Sequence, residues 1–179
     1  MDLPSFKYHP DPVGTGSIMA SDKQCQVCRQ ARGFIYTAAI YSINELDAVC
    51  PWCIYDGAAR VLFKAEFTEV NAVGGYGEWE PVTPAVAEEV ASRTPGFSGW
   101  QQERWFTHCG DAAVFLGPMG RKELESLGLE AVRVIRRETG FEGEEWDSYF
   151  KSMDRHAGPT AYVFRCLHCG CFGGYSDIH

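Results

Sequence analysis

Eight cysteines are the side chains in this sequence best suited to chemistry, and six of them fall in Cys-x-x-Cys pairs: Cys25/Cys28, Cys50/Cys53 and Cys166/Cys169. Two residues between thiols let a tight turn aim both sulfurs at one ion. Two such turns supply four soft ligands to a tetrahedral zinc at about 2.3 Å. Cys28 and Cys50 are separated by 21 residues, so Cys25, Cys28, Cys50 and Cys53 read as one zinc site. The CPWC pair is expected to open a helix, whose N-terminal dipole favours thiolate. Knuckle, strands, then a helix that begins with ligands is the order of a treble-clef finger. A Cys-x-x-Cys ahead of a helix also serves thioredoxin-like redox sites. The upstream CQVC pair and the lack of a surrounding βαβ pattern favour metal instead.

Cys109, Cys166 and Cys169, joined by His108, form a second expected zinc site. His108 and Cys109 are adjacent, and neighbours on an extended backbone point apart, so joint ligation requires a bend between them. Cys171 or a water are the alternatives for the fourth position. Glu103 and His108 beside a metal are also ingredients of zinc-dependent hydrolysis, which stands as a third functional reading. Cysteine-rich sites are mostly closed and structural, so the expectation is a protein that is not an enzyme.

The elements that must position these ligands are short. The aromatic and β-branched stretch 33–43 predicts strands. Ile54, Ala58, Val61, Leu62 and Ala65 recur at helical spacing and predict a helix over 51–67, with Gly57 as a modest penalty. Residues 71–81, rich in glycine, read as a loop and internal boundary. Thr83 caps a further helix with Pro84 at its first position. The stretch 99–117 reads as strand at both ends around a turn at Gly110-Asp111, and TAYVFRCLHCG as a strand running into a turn. The expected fold is zinc-stabilised α+β, treble-clef-like, with small antiparallel sheets and short helices. Two cysteine-centred halves, about 1–70 and 82–179, are expected to pack as one unit.

The formal charge is −8, from 16 basic and 24 acidic side chains. Phosphate binding draws its affinity from Lys and Arg displacing counterions, so this balance argues against nucleic acid as a partner. A nucleic-acid-binding module or zinc-finger regulator is the alternative function, supported only by Arg121, Lys122, Arg133, Arg136 and Arg137. These also read as a solvated helical face with Glu130 and Glu138 as partners. No basic leader followed by an apolar run and no membrane span is visible, so the expected compartment is the cytoplasm. In that reducing setting cysteines serve as ligands rather than disulfides.

Several blocks in order resemble the CbrC family of bacterial proteins: FKYHPDPVGTGS, CQVCRQARGFIY, CPWCIYDGAA, TPGFSGWQQERW, HCGDAAVFLG and FRCLHCG. The resemblance implies a cytoplasmic bacterial protein, linked in at least one branch to tolerance of a DNase-type colicin. It brings no catalytic residues. An immunity-like role through protein contact is the leading expectation, with a basic nuclease toxin as partner. Glu138, Glu142, Glu144, Glu145 and Asp147, with Trp146 and Phe141 interleaved, form an acidic strip whose charge would steer such a partner and whose aromatics would anchor it. Of the remaining residues, His9 reads as a turn residue beside two prolines, and Trp100 and Trp105 as core positions.

Overall fold

A computed structural model describes residues 2–178. The chain begins with two short strands, β1 (Ile18–Ala20) and β2 (Phe34–Tyr36), paired antiparallel with Ile18 opposite Tyr36. Of the expected strand region 33–43 only β2 is regular, and Tyr41 makes an isolated bridge to Glu66.

The helix expected over 51–67 is two helices, α1 (Pro51–Tyr55) and α2 (Ala58–Phe63). Gly57, at φ +78°, lies in the left-handed region that only glycine enters cheaply. The chain turns there, and Lys64 at φ +55° ends α2. The apolar positions predicted from helical spacing therefore divide. Ile54 and Ala65 are buried and Ala58 is half-buried, while Val61 and Leu62 are exposed.

Residues 71–81 are not a slack linker. Two 3₁₀ turns (Val70–Ala72 and Gly75–Gly77) fill most of 70–77, and Val73 bridges Trp105 in parallel. Helix α3 (Pro84–Arg93) follows the capping signal, with Val86 N–H donating to the Thr83 hydroxyl at 3.4 Å.

Beyond it lie β3 (Thr107–His108), β4 (Asp111–Ala112) and β5 (Val114–Met119), then α4 (Arg121–Leu127), α5 (Leu129–Thr139) and α6 (Gly143–Ser152). Strands β6 (Thr160–Arg165) and β7 (Phe172–Asp177) close the fold. The main sheet is antiparallel in the order β5-β6-β7.

Strand alternation divides the interior. Phe115, Tyr162, Phe164 and Tyr175 face an aromatic core around Phe97 and Trp105. Ala161 and Val163 face the other way, against Leu124, Ile135 and Trp146 of the three-helix layer. A third apolar cluster surrounds the first four cysteines and includes Ile18, Ile35, Val49, Ile54 and Phe67. The regions are stitched by Phe67 N–H to Ala91 O at 2.7 Å and by Tyr41 hydroxyl to Glu103 at 2.7 Å. His9 is no turn ornament. It is fully buried, bonded to Pro95 O and to the Thr15 hydroxyl, both at 2.7 Å, and burial lowers its pKa to about 4. Trp105 is buried as expected; Trp100 is 38% exposed, its indole N–H donating to Thr160.

Candidate metal centres

The first centre is built by a knuckle, a bracing side chain and a helix start. In the knuckle, Arg29 N–H donates to Cys25 O at 2.8 Å, and Cys25 N–H to Gln30 O at 2.9 Å. Arg29 takes the left-handed conformation, φ +59°, that the turn requires. Gln26 then reaches across: its amide oxygen accepts from the N–H groups of Asp47 (2.7 Å) and Ala48 (2.9 Å). That contact delivers Cys50, the residue preceding α1, and Cys53 inside it, to the knuckle. The ligand atoms of Cys25, Cys28, Cys50 and Cys53 all lie within 4.8 Å of one another. Cys25 and Cys53 sulfurs are 3.9 Å apart, and Cys28 and Cys50 sulfurs 3.8 Å. A tetrahedral ion bound at about 2.3 Å requires sulfur–sulfur edges of about 3.8 Å.

Electrostatics point the same way. The Cys50 thiol and nearby backbone N–H groups hold Cys25 down to about 4. The price falls on its neighbours: the bond to Cys25 and burial push Cys50 up, and burial first, then the Cys25 charge, pushes Cys53 up to about 12. Four thiols packed this closely cannot all ionise without a cation among them.

The second centre gathers ligands from two hairpins. The β3–β4 turn carries Cys109 at φ +56° and Gly110 at φ +69°, closing His108 opposite Asp111. This is the bend that joint ligation by His108 and Cys109 demanded; the turn lies one residue earlier than expected. The β6–β7 connection is a second knuckle, with Gly170 N–H to Cys166 O at 3.1 Å and Cys166 N–H to Cys171 O at 2.9 Å. Because β4 leads into β5, and β5 pairs β6 with Val114 opposite Arg165, the two turns meet at one end of the sheet.

His108, Cys109, Cys166 and Cys169 offer ligand atoms mutually within 4.8 Å, a group that could hold a metal ion as the first could. His108 Nδ1 is 3.2 Å from Cys109 sulfur, 3.4 Å from Cys169 and 3.6 Å from Cys171. Cys171 is thus a fifth donor beside a group of four that already suffices for a tetrahedral ion. His108 Nε2 faces Glu80 Oε1 at 3.6 Å, and Glu80 also accepts from Gly110 N–H at 3.3 Å. A carboxylate behind a ligating imidazole fixes its ring and raises its basicity. Sequence spacing offered no sign of Glu80.

Unlike the first centre, this one is open: Cys109 and Cys169 are exposed, Cys171 is half-buried and only Cys166 is buried. The N–H of Cys171 and its thiol lower Cys169 to about 7, and burial raises Cys171 to about 12. Desolvation, with the neighbouring thiols, raises Cys109 to about 11.

A family model described as "Uncharacterised protein family (UPF0167)" matches residues 3–178. The chain belongs to the UPF0167 family. UPF0167 protein Mb2317 of Mycobacterium bovis is 46% identical over 179 residues, covering 98% of this chain and 94% of the relative. UPF0167 protein PA1536 of Pseudomonas aeruginosa is 40% identical over 170 residues, covering 94% and 93%. No solved structure matches.

The other residues singled out from sequence in this UPF0167 chain take different places. Glu142, Glu144, Glu145 and Asp147 are exposed at the N-cap and first turns of α6. Trp146 is 5% exposed, stacked on Phe150 at 5.1 Å in the helical-layer core. It is thus a core residue and not a surface anchor, because the helical period turns position 146 inward while its acidic neighbours turn out. Phe141 also packs against that core. Glu138 binds Arg104 at 3.2 Å and accepts from Ser176 N–H at 3.1 Å, instead of pairing along its own helix. Glu103, the candidate base, is buried under the Tyr41 hydroxyl. Among the described residues no helix is long and apolar enough to cross a membrane.

Proposed function

We propose that this UPF0167 protein is a two-zinc, non-enzymatic interaction protein of the cytoplasm. The observation that carries the reading is the sulfur geometry of the first centre. Separations of 3.8 and 3.9 Å match two edges that a zinc tetrathiolate would have. Zinc there would link the N-terminal knuckle to α1 and supply folding free energy directly. At the second centre, Cys109, Cys166 and Cys169 with either His108 or Cys171 would hold a second ion, with Glu80 supporting His108. Catalysis is no part of the reading: the donors are mostly thiolates, and Glu103 is occupied by Tyr41.

The partner is proposed to be a basic protein, with a nuclease toxin the class suggested by the sequence resemblance. Four carboxylates on the outer side of α6, Glu142, Glu144, Glu145 and Asp147, support it, on a chain of net charge −8. Charge would steer the encounter, without the aromatic anchor that Trp146 was expected to give.

Elemental analysis of purified protein tests the metal reading: two zinc ions per chain are expected, and a metal-free protein with an intact fold ends it. Co-purification from the native bacterium tests the partner. A partner whose association rate is unaffected by salt and by Glu142→Lys, Glu144→Lys, Glu145→Lys would leave the α6 carboxylates as solvated surface.

A further inference from the structure

A groove of about 780 Å³ opens between α5 and the start of β7, beside the second cysteine centre. The volume is within the range of small-molecule sites, roughly 300–1,000 Å³. Its apolar surface comes from Trp79, Phe106 and Phe172, with Val134 from the helix. Trp79 and Phe106 meet edge-on, ring centroids 5.3 Å apart. The groove keeps its shape through Gly173: a Cβ there would stand 2.1 Å from the Phe106 ring, so only glycine lets that ring lie against β7.

Arg133 and Arg137, one turn apart on α5, supply its charge. Both are exposed, and neither guanidinium makes an ion pair or hydrogen bond to the described residues. Two carboxylates also line the groove, but Glu138 is engaged by Arg104 and by Ser176 N–H. That leaves two guanidinium groups against Glu130. Three other arginines are paired: Arg60 with Glu66 and Glu88, Arg104 with Glu78 and Glu138, Arg121 with Glu125. A pair of free guanidinium groups facing an aromatic surface is the arrangement that recognises an anion carried on an apolar body.

We propose that this groove binds a small organic anion with an aromatic or similarly flat apolar body, its carboxylate or equivalent group held by Arg133 and Arg137. The body lies on Trp79, Phe106 and Phe172, toward His108 and Cys171, and the charge lies toward α5. The orientation follows from the placement of the charges, since both guanidinium groups stand on the α5 side of the groove and attract the anion there.

The test is calorimetric titration of the zinc-loaded full chain with 2-naphthoate and with its uncharged counterpart 2-naphthylmethanol. Naphthoate is expected to bind saturably, and the alcohol about tenfold more weakly or worse, because hydrogen bonds to a charged group are the strong ones. Arg133→Gln with Arg137→Gln should reduce naphthoate affinity by about the same factor and leave the alcohol unchanged. Amide shifts on titration are expected at Gly173 and Gly174. Equal affinity for the two probes, an unaltered naphthoate affinity in the double variant, shifts confined to other regions, or no saturable binding each overturns the proposal. Zinc content, measured on the same samples, separates this outcome from the fate of the zinc reading.

Discussion

The two cysteine centres use the same local device in opposite surroundings. In each, the N–H of the first knuckle cysteine bonds the carbonyl five residues on, and its own carbonyl accepts from the residue four on: Gln30 and Arg29 in one, Cys171 and Gly170 in the other. The residue four on is left-handed in both, φ +59° and +74°. Around the first knuckle the chain supplies Cys50 and Cys53 from nearby in sequence, braced by Gln26, and buries three of the four sulfurs in an apolar cluster. Around the second it supplies Cys109 from another hairpin, leaves two sulfurs exposed and adds a fifth donor. The knuckle therefore sets where two thiols point. Burial and donor count would set whether an ion held there is a permanent part of the fold or one that exchanges.

The largest expected effect tests the buried centre. Cys53→Ser should remove one zinc and unfold the N-terminal cluster, since structural zinc contributes on the order of 10 kcal/mol in small fingers. Calorimetry and zinc analysis read both consequences; a folded variant with one zinc would erase the distinction between the centres. The matching change at the second knuckle, Cys166→Ser with Cys169→Ser, leaves three of the five donors; it should also remove one zinc but keep the cooperative unfolding transition, because a separate aromatic core packs around Phe97 and Trp105.

The fifth donor gives a sharper and smaller effect. Cys171→Ser and His108→Ala should each retain two zinc ions per chain at micromolar protein, while the double variant loses one. If either single change empties the centre, the surplus donor has no role and the centre has four fixed ligands.

Reactivity separates the centres next. A thiolate forms as pH rises through the thiol's pKa, so in metal-free protein iodoacetamide should reach half its limiting rate at Cys169 near pH 7, and at Cys109 only near pH 11. Zinc should protect both, and mass spectrometry of the alkylated peptides gives the rates. Identical pH profiles would show that the N–H of Cys171 does not tune Cys169. The smallest effect is Glu80→Gln, expected to weaken zinc at the exposed centre by about tenfold, with the buried centre as internal control. A chelator competition on the two ions measures it.

How much of this was readable in the residues varies with distance along the chain. The cysteine pairs, the capped start of α3 and the need for a bend between His108 and Cys109 all depend on contacts within about five residues, and each is found. The single helix over 51–67 failed at Gly57. A modest propensity penalty could not reveal that the chain would use the left-handed conformation there to end one helix and begin another. Trp146 failed for a different reason. Five acidic residues made the strip look like surface, yet helical phase turned one position of it into the core.

Residue types and their spacing alone set the chemistry available: soft ligands in knuckle-forming pairs, on an acidic chain. A two-residue spacing between thiols constrains a turn whatever lies around it. Folding alone settled which donors gather at the second centre, since the β5–β6 register brings the turn at Cys109 to the turn at Cys166. It also decided that Glu80 stands behind His108, and that two arginines of α5 face an aromatic groove. Those placements arise from how sheet and helices pack, and packing is a property of the whole chain, with no local spacing to announce it.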